Sequence, residues 1–193
     1  MFPALRGGND APGRREGFLG EVDDVVSAAE FLAKQPGVDP NRIYLGGHST
    51  GGTLTLLVAE YSPRFRAVFS FGPVASPASY GAEYVVFNAN DRMEVAVRSP
   101  INWLADAKSP TFVIEGEDGN IRDLRLMKRL NRNPAIRFLE VKGANHFNIL
   151  RPVHLVLAKK ILADTQEKGM EVTEEELAAR LNESPDPAQH DER

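Results

Sequence analysis

The sequence predicts an α/β fold built around a mainly parallel sheet. Short apolar runs alternate with helix-patterned segments along residues 20–162, the order that layers helices on a parallel sheet. Ile43-Tyr44-Leu45 leads through Gly46-Gly47-His48-Ser49-Thr50-Gly51-Gly52 into the helix-forming run Thr53 to Tyr61, and Ala67 to Phe71 follows as a strand. Strand, helix, strand in that order implies a parallel pair with a right-handed crossover. The chain has 193 residues, enough for one domain with a sizeable core.

The elements follow in order. Residues 1–19 are rich in Gly, Pro and Arg and read as loop. Glu21 to Lys34 reads as a helix, because Val22, Val25, Val26, Ala29 and Leu32 recur at helical spacing. Asp23 and Asp24 fall in its first turn, where the helix dipole favours negative charge. Pro36-Gly37 ends it, Asp39-Pro40-Asn41 is a turn, and Arg42 to Gly46 is a short buried strand. The next helix stops before Pro63, and Gly72-Pro73 closes the strand Ala67 to Phe71.

Residues 74–108 are less regular. Pro100 after Ser99 marks a helix start. The segment is expected either to cover the serine as a lid or to form a packed connection. Thr111 to Ile114 is a strand that runs into Glu115-Gly116-Glu117-Asp118-Gly119. Asn120 is the expected cap of a helix to Leu130, with Asp123 as its capping-box partner. Ile136 to Val141 is a strand, residues 142–147 a loop, and Pro152 opens a helix to Leu162. Thr173 and Glu176 form a capping box for a short helix through Leu181, after which Ser184-Pro185-Asp186-Pro187 and the final residues read as disordered.

Composition narrows the classes. The chain is 42% hydrophobic and 26% charged, as ordinary globular proteins are. It has no cysteine, which excludes disulfides, thiolate catalysis and Cys-based zinc sites. No apolar run reaches the roughly 18–20 residues of a membrane span. Met1 to Arg6 lacks the apolar stretch of a signal peptide, so a cytoplasmic protein without membrane partners is expected. Net charge is −4, yet residues 167–193 alone hold nine acidic and three basic side chains. The body is therefore nearly neutral, without the dense Lys/Arg block that nucleic-acid binding calls for.

The chemistry centres on Gly47, Ser49 and Gly51, a G-x-S-x-G nucleophile elbow. A serine stands on a sharp strand-to-helix turn only if its close neighbours lack side chains. The helix start then aims backbone N–H groups at an anion forming there. A serine hydroxyl needs a base, and histidine titrates near neutrality. Of the four histidines, His48 is expected to pack under the elbow, His154 lies on a helix and His190 in the acidic tail. His146 lies in a loop after a strand. Such loops gather at the carboxyl edge of a parallel sheet, where Ser49 also sits. The third member is a carboxylate that orients the imidazole. The chain order Ser, acid, His places it between residues 49 and 146. Asp118 is favoured, with Glu117 and Glu115 as alternatives.

Gly20-Glu21-Val22-Asp23-Asp24, Val38-Asp39-Pro40-Asn41-Arg42-Ile43, Gly46 to Gly52, Ser109-Pro110-Thr111 and Gly143 to Phe147 together span most of residues 20–162. In these stretches the chain resembles the catalytic domain of the prolyl oligopeptidase family, within the α/β-hydrolase superfamily. The resemblance implies a three-layer sandwich over residues 1–164, with 165–193 as a flexible acidic tail. It implies Ser49 as nucleophile, His146 as base and an acyl-enzyme acting on small esters or short peptides, without metal or cofactor. Two departures stand out. The family's acid lies three residues after the glycine corresponding to Gly116, which is Gly119 here. The family's earlier strands, and the loop giving half of its oxyanion hole, have no counterpart before Phe2. This leaves the Thr50 N–H as the one donor that can be named. A missing donor costs roughly 100- to 1000-fold in turnover. It also leaves a bare sheet edge open to pairing or oligomerisation, as in an N-terminally truncated product. The readings are a peptidase-like serine hydrolase, a carboxylesterase, or a catalytically weak remnant that binds a partner through that edge. Recruitment as a small-molecule receptor is a further option that no residue points to.

Overall fold

The computed structural model describes residues 1–8 and 10–181. The disorder expected from Ser184 onward, and His190, lie outside these residues. Four parallel strands form one sheet in the sequential order β1 (Tyr44–His48), β2 (Ala67–Phe71), β3 (Thr111–Asp118) and β4 (Ile136–Asn145). The helices are α1 (Gly20–Ala33), α2 (Thr50–Tyr61), α3 (Arg92–Val97), α4 (Ile121–Leu130), α5 (Leu150–Ala163) and α6 (Glu174–Leu181).

The two-residue alternation of the strands sorts side chains into two cores. Phe69, Phe71, Phe112, Ile114, Leu139 and Val141 point to one face and pack against α5 and α6. Val68 and Val113, with Phe138 of β4, meet α1, α2 and α4 on the other. This is the expected three-layer α/β/α arrangement. The strands read as near-continuous apolar runs because both faces are covered. In α2 every residue from Gly52 to Glu60 is buried, since α1 and residues 100–106 close over its outer side. Among the described residues, β1 pairs with β2 alone. No helix there is long and apolar enough to cross a membrane.

Several element bounds move. β1 runs two residues past the expected strand, and β3 and β4 each run four past. Residues 142–145, expected as loop, are strand that follows β3 across an irregularity between Gly116 and Asp118. The segment after Asp164 is not a free appendage. Val172 is 1% exposed and Leu177 fully buried against β4 and α5. The apolar Met170, Val172 and Leu177 carry this packing, and the surrounding glutamates concealed it in the sequence. The expected capping box of α6 forms: Thr173 N donates to Glu176 and Glu176 N to Thr173. Asp24 serves a specific partner, since Arg6 binds it through its backbone N and guanidinium at 2.8–3.2 Å.

One ion pair joins the far end of the sheet to α5. Asp164 accepts from Arg66 Nε and Nη2 at 2.9 and 3.0 Å, and from Tyr44 Oη at 2.6 Å. The Arg66 hydrogen bonds hold its carboxyl well below the usual carboxylate range, against an opposing burial cost and with help from Tyr44. The folded state thus binds this proton less readily than the unfolded chain. Its stabilisation is complete above about pH 4 and is lost as pH falls further. Asp164→Asn is expected to lower the unfolding free energy by roughly 1–3 kcal/mol near neutrality. It is also expected to flatten the acid arm of the stability curve. Urea melts from acid to neutral pH check both, and an unchanged curve would contradict the assignment.

Candidate active site

The site begins with a strained residue. Ser49 has φ 58° and ψ −117°, a conformation that costs a non-glycine residue about 1–3 kcal/mol. Its neighbours enforce it. Ser49 N donates to Phe71 O at 2.8 Å, and Thr53 N donates back to Ser49 O at 3.0 Å as α2 starts. A Cβ on Gly47 would overlap the Gly51 carbonyl oxygen and lie 2.5 Å from Thr55 Oγ1. A Cβ on Gly52 would overlap Phe71 O. Around Gly51 there is open space. The close approach expected of Gly51 therefore falls on Gly52, and Gly47 keeps its expected place. Thr50 is the first residue of α2, in the turn where backbone N–H groups have no intrahelical acceptor.

His146 is the first residue beyond β4. Its Nδ1 lies 2.8 Å from Glu115 Oε2, and the carboxylate makes Nδ1 the donor. That leaves Nε2 as the ring's acceptor. Glu115 is fully buried and His146 17% exposed in its side chain. The carboxylate also accepts from Gly116 N at 2.7 Å and Asn120 N at 2.8 Å. Three N–H groups replace the water it lost.

The carboxylate at His146 is Glu115, and the structure brings neither Asp118 nor Glu117 to the ring. Asp118 is exposed at the end of β3, opposite Asn145. Glu117 is exposed too and accepts from Gly143 N at 3.0 Å. The reason is the strand's length. Because β3 runs on to Asp118, Glu115 is an interior strand residue on the buried face of Val113, not part of a loop. Gly119 makes room for it: a Cβ there would lie 2.5 Å from the Glu115 carboxyl carbon. The position where the family resemblance puts its acid is thus occupied by the Glu115 carboxylate itself.

Three contributors were not recognised in the sequence. Gly72 has φ +59°, and a Cβ there would lie 2.5 Å from His146 Cε1 and 2.7 Å from Glu115 Oε2. Its Gly-Pro context signalled only a strand end. Asn120 makes no side-chain cap. It donates backbone N to Glu115 and Nδ2 to Gly72 O at 2.9 Å. Asp123 accordingly is not its capping partner and accepts from Ala75 N at 2.8 Å. His48 does not pack under the elbow. Its Nε2 donates to the His146 carbonyl at 2.8 Å, with ring centroids 4.5 Å apart. His154 is exposed on α5, edge-on to Phe71.

Ser49 and His146 approach from two strand ends. Ser49 N is bonded to Phe71 O, and the next residue, Gly72, touches the His146 ring. Among the described residues no hydrogen bond joins the Ser49 hydroxyl to the ring. A cavity of about 300 Å³ opens beside Thr50 and Gly51, walled by Leu5, Phe18, Leu54, Tyr84 and Val86. Residues 74–108 thus form a wall of this cavity through Tyr84 and Val86, and Tyr80 anchors that wall by a 2.8 Å bond to Thr53 Oγ1. No group of three or more metal-ligating side chains occurs among the described residues.

The sequence profile of the prolyl oligopeptidase family matches residues 13–156, and with Ser49, His146 and their sheet in place this match decides the lineage. The chain belongs to the prolyl oligopeptidase family. An uncharacterized protein of Mycobacterium tuberculosis is 31% identical over 142 residues, covering 72% of this chain and 49% of that one. Dipeptidyl peptidase 4 of Porphyromonas gingivalis superposes with a TM-score of 0.64 at 20% identity, covering 76% of this chain and 23% of its own. A 2,6-dihydroxy-pseudo-oxynicotine hydrolase superposes with a TM-score of 0.65 at 17% identity, covering 83% and 50%. These superpositions show a shared α/β-hydrolase fold. The chain spans about half the length of its curated relative from M. tuberculosis.

The elbow sterics separate two glycines that look alike in the sequence. Gly52→Ala is expected to destabilise the chain by roughly 1–3 kcal/mol, because backbone must move. Gly51→Ala, helical and facing open space, is expected to be neutral or to stabilise by up to about 1 kcal/mol. Urea unfolding of the two variants compares them directly, and equal losses would contradict the steric account.

Proposed function

We propose that this chain carries the acyl-transfer centre of a serine hydrolase of the prolyl oligopeptidase type. Ser49 is the nucleophile, His146 the base and Glu115 the acid that orients it. The observation that carries this reading is the 2.8 Å bond between His146 Nδ1 and the buried Glu115, at the sheet edge where Ser49 is held in strain. With Nδ1 occupied, His146 Nε2 takes the Ser49 proton as Oγ attacks a carbonyl carbon. The oxyanion forms towards the Thr50 N–H at the start of α2. His146 then returns the proton to the leaving group, and water releases the acyl group by the same steps in reverse.

The substrate in this proposal is a short peptide or small ester. Family membership, and a peptidase among the similar structures, support a peptide. The small cavity beside Thr50 is of a size for one acyl side chain, and it supports an ester equally. The β1 edge, paired on one side only among the described residues, supports a second reading as an interaction or oligomerisation surface.

Fluorophosphonate labelling tests the assignment, because the reagent reacts only with an activated serine. Ser49→Ala is expected to abolish labelling. Glu115→Gln is expected to slow it by orders of magnitude, as loss of the orienting acid does in serine triads. Asp118→Asn is expected to leave it unchanged. No labelling of the folded wild-type chain would sink the hydrolase reading for these residues. Sensitivity at Asp118 with none at Glu115 would overturn the acid assignment.

A further inference from the structure

We propose that the cavity between α1, the carboxyl end of α2 and residues 97–108 binds a small organic cation, an amine on an apolar body, with Glu60 as its anionic anchor. This site is independent of the acyl-transfer reading. The cavity measures about 620 Å³. Glu60 lines it eleven residues along the chain from Ser49, roughly 16 Å away at 1.5 Å per helical residue.

Glu60 is the exception among the buried glutamates. Glu115 accepts three N–H groups, and Glu21 accepts the backbone N–H groups of Glu16, Gly17 and Leu19. Glu60 is 7% exposed, and among the described residues neither of its carboxyl oxygens has a hydrogen-bond partner. A buried carboxyl without a partner carries a desolvation cost that nothing inside the fold offsets. Burial pushes its pKa well above the ordinary carboxyl value, and the negative charge of Asp106 adds to the shift.

The lining selects the ligand's charge. Arg6 faces the cavity but is committed to Asp24 and Glu16. Asp23 and Asp106 join Glu60 on the acidic side, with exposed Lys108 opposing them. The balance favours a cation. Metal-ligating side chains do not gather in threes among the described residues, which favours an organic cation over a metal ion. Leu57, Val22 and Phe18 supply apolar wall. Tyr61 and Trp103 stand half-exposed at the same cavity, where an aromatic face attracts an ammonium group.

Trp103 is the chain's single tryptophan, so its fluorescence reports this cavity alone. The experiment titrates the 193-residue chain with benzylamine, and with benzyl alcohol as the uncharged counterpart. Benzylamine is expected to give a saturable change, with benzyl alcohol at least about tenfold weaker, the scale of one charge-assisted bond. Glu60→Gln, its fold checked by circular dichroism, is expected to weaken benzylamine by a similar factor. Asp106→Asn, at an exposed position, is expected to weaken it severalfold and serves should Glu60→Gln fail to fold. A cation stabilises ionised Glu60, so binding should tighten as pH rises through the raised Glu60 titration, within the range where benzylamine stays charged. Asp23, Asp106, Tyr61, Lys108 and the Arg6–Glu16 pair also face the cavity, so the pH dependence is to be compared between wild type and Glu60→Gln. No saturable benzylamine response, equal binding of benzyl alcohol, or unchanged affinity in the folded variants would overturn the proposal.

Discussion

The candidate site is organised by the carboxyl end of β2. Phe71 O receives the Ser49 amide, and it lies where a Cβ on Gly52 would be. Ser70 Oγ, one residue earlier, donates to Gly52 O at 2.8 Å in the buried interior. Gly72, one residue later, donates its amide to Ile114 O and presents no side chain to the Glu115–His146 pair. Asn120 then reaches back to Gly72 O. Three consecutive residues at the carboxyl end of β2, the last just beyond the strand, thus set the elbow on one side and the histidine pair on the other. Strain at Ser49 persists because several close contacts determine its backbone together.

Two buried carboxylates illustrate how differently a fold can treat the same group. Glu115 sits inside a ring of N–H donors formed where β3 ends and α4 begins, and it holds a histidine that stays partly open to solvent. Glu60 sits in the last turn of α2 beside a cavity, and no donor among the described residues reaches it. The difference comes from backbone: a strand end turning into a helix offers free amides, whereas the last turn of a helix, where Glu60 lies, offers free carbonyl groups. The first arrangement suits a role in chemistry. The second carries a desolvation cost, which protonation lessens and a cationic partner would offset.

The alternation of elements, the α2 helix with its glycine elbow, the histidine after the last strand and the family itself were all legible in the sequence. Each rests on local pattern or short spacing, which survives without knowledge of contacts. The identity of the carboxylate was not legible. Glu115, Glu117 and Asp118 lie within four residues, and their separation depends on where β3 ends. That end is set by pairing with β4 across an irregular register, a contact between distant segments. The packing of Val172 and Leu177 was hidden for a similar reason, since two apolar residues among glutamates signal nothing until a groove receives them.

By itself the sequence determined that this chain is a layered α/β protein of the prolyl oligopeptidase family, with a serine on a sharp turn and a histidine that can reach the same edge. Periodicity, glycine sterics and motif spacing are properties of neighbours along the chain, so they can be read in one dimension. Only the tertiary structure decided which acid meets the histidine, which glycine bears the crowding, what His48 and Gly72 do, and that Glu60 faces a cavity unpartnered. Those are relations between side chains brought together from different elements, and the physical quantities that fix them, burial and distance, exist only once the sheet has formed.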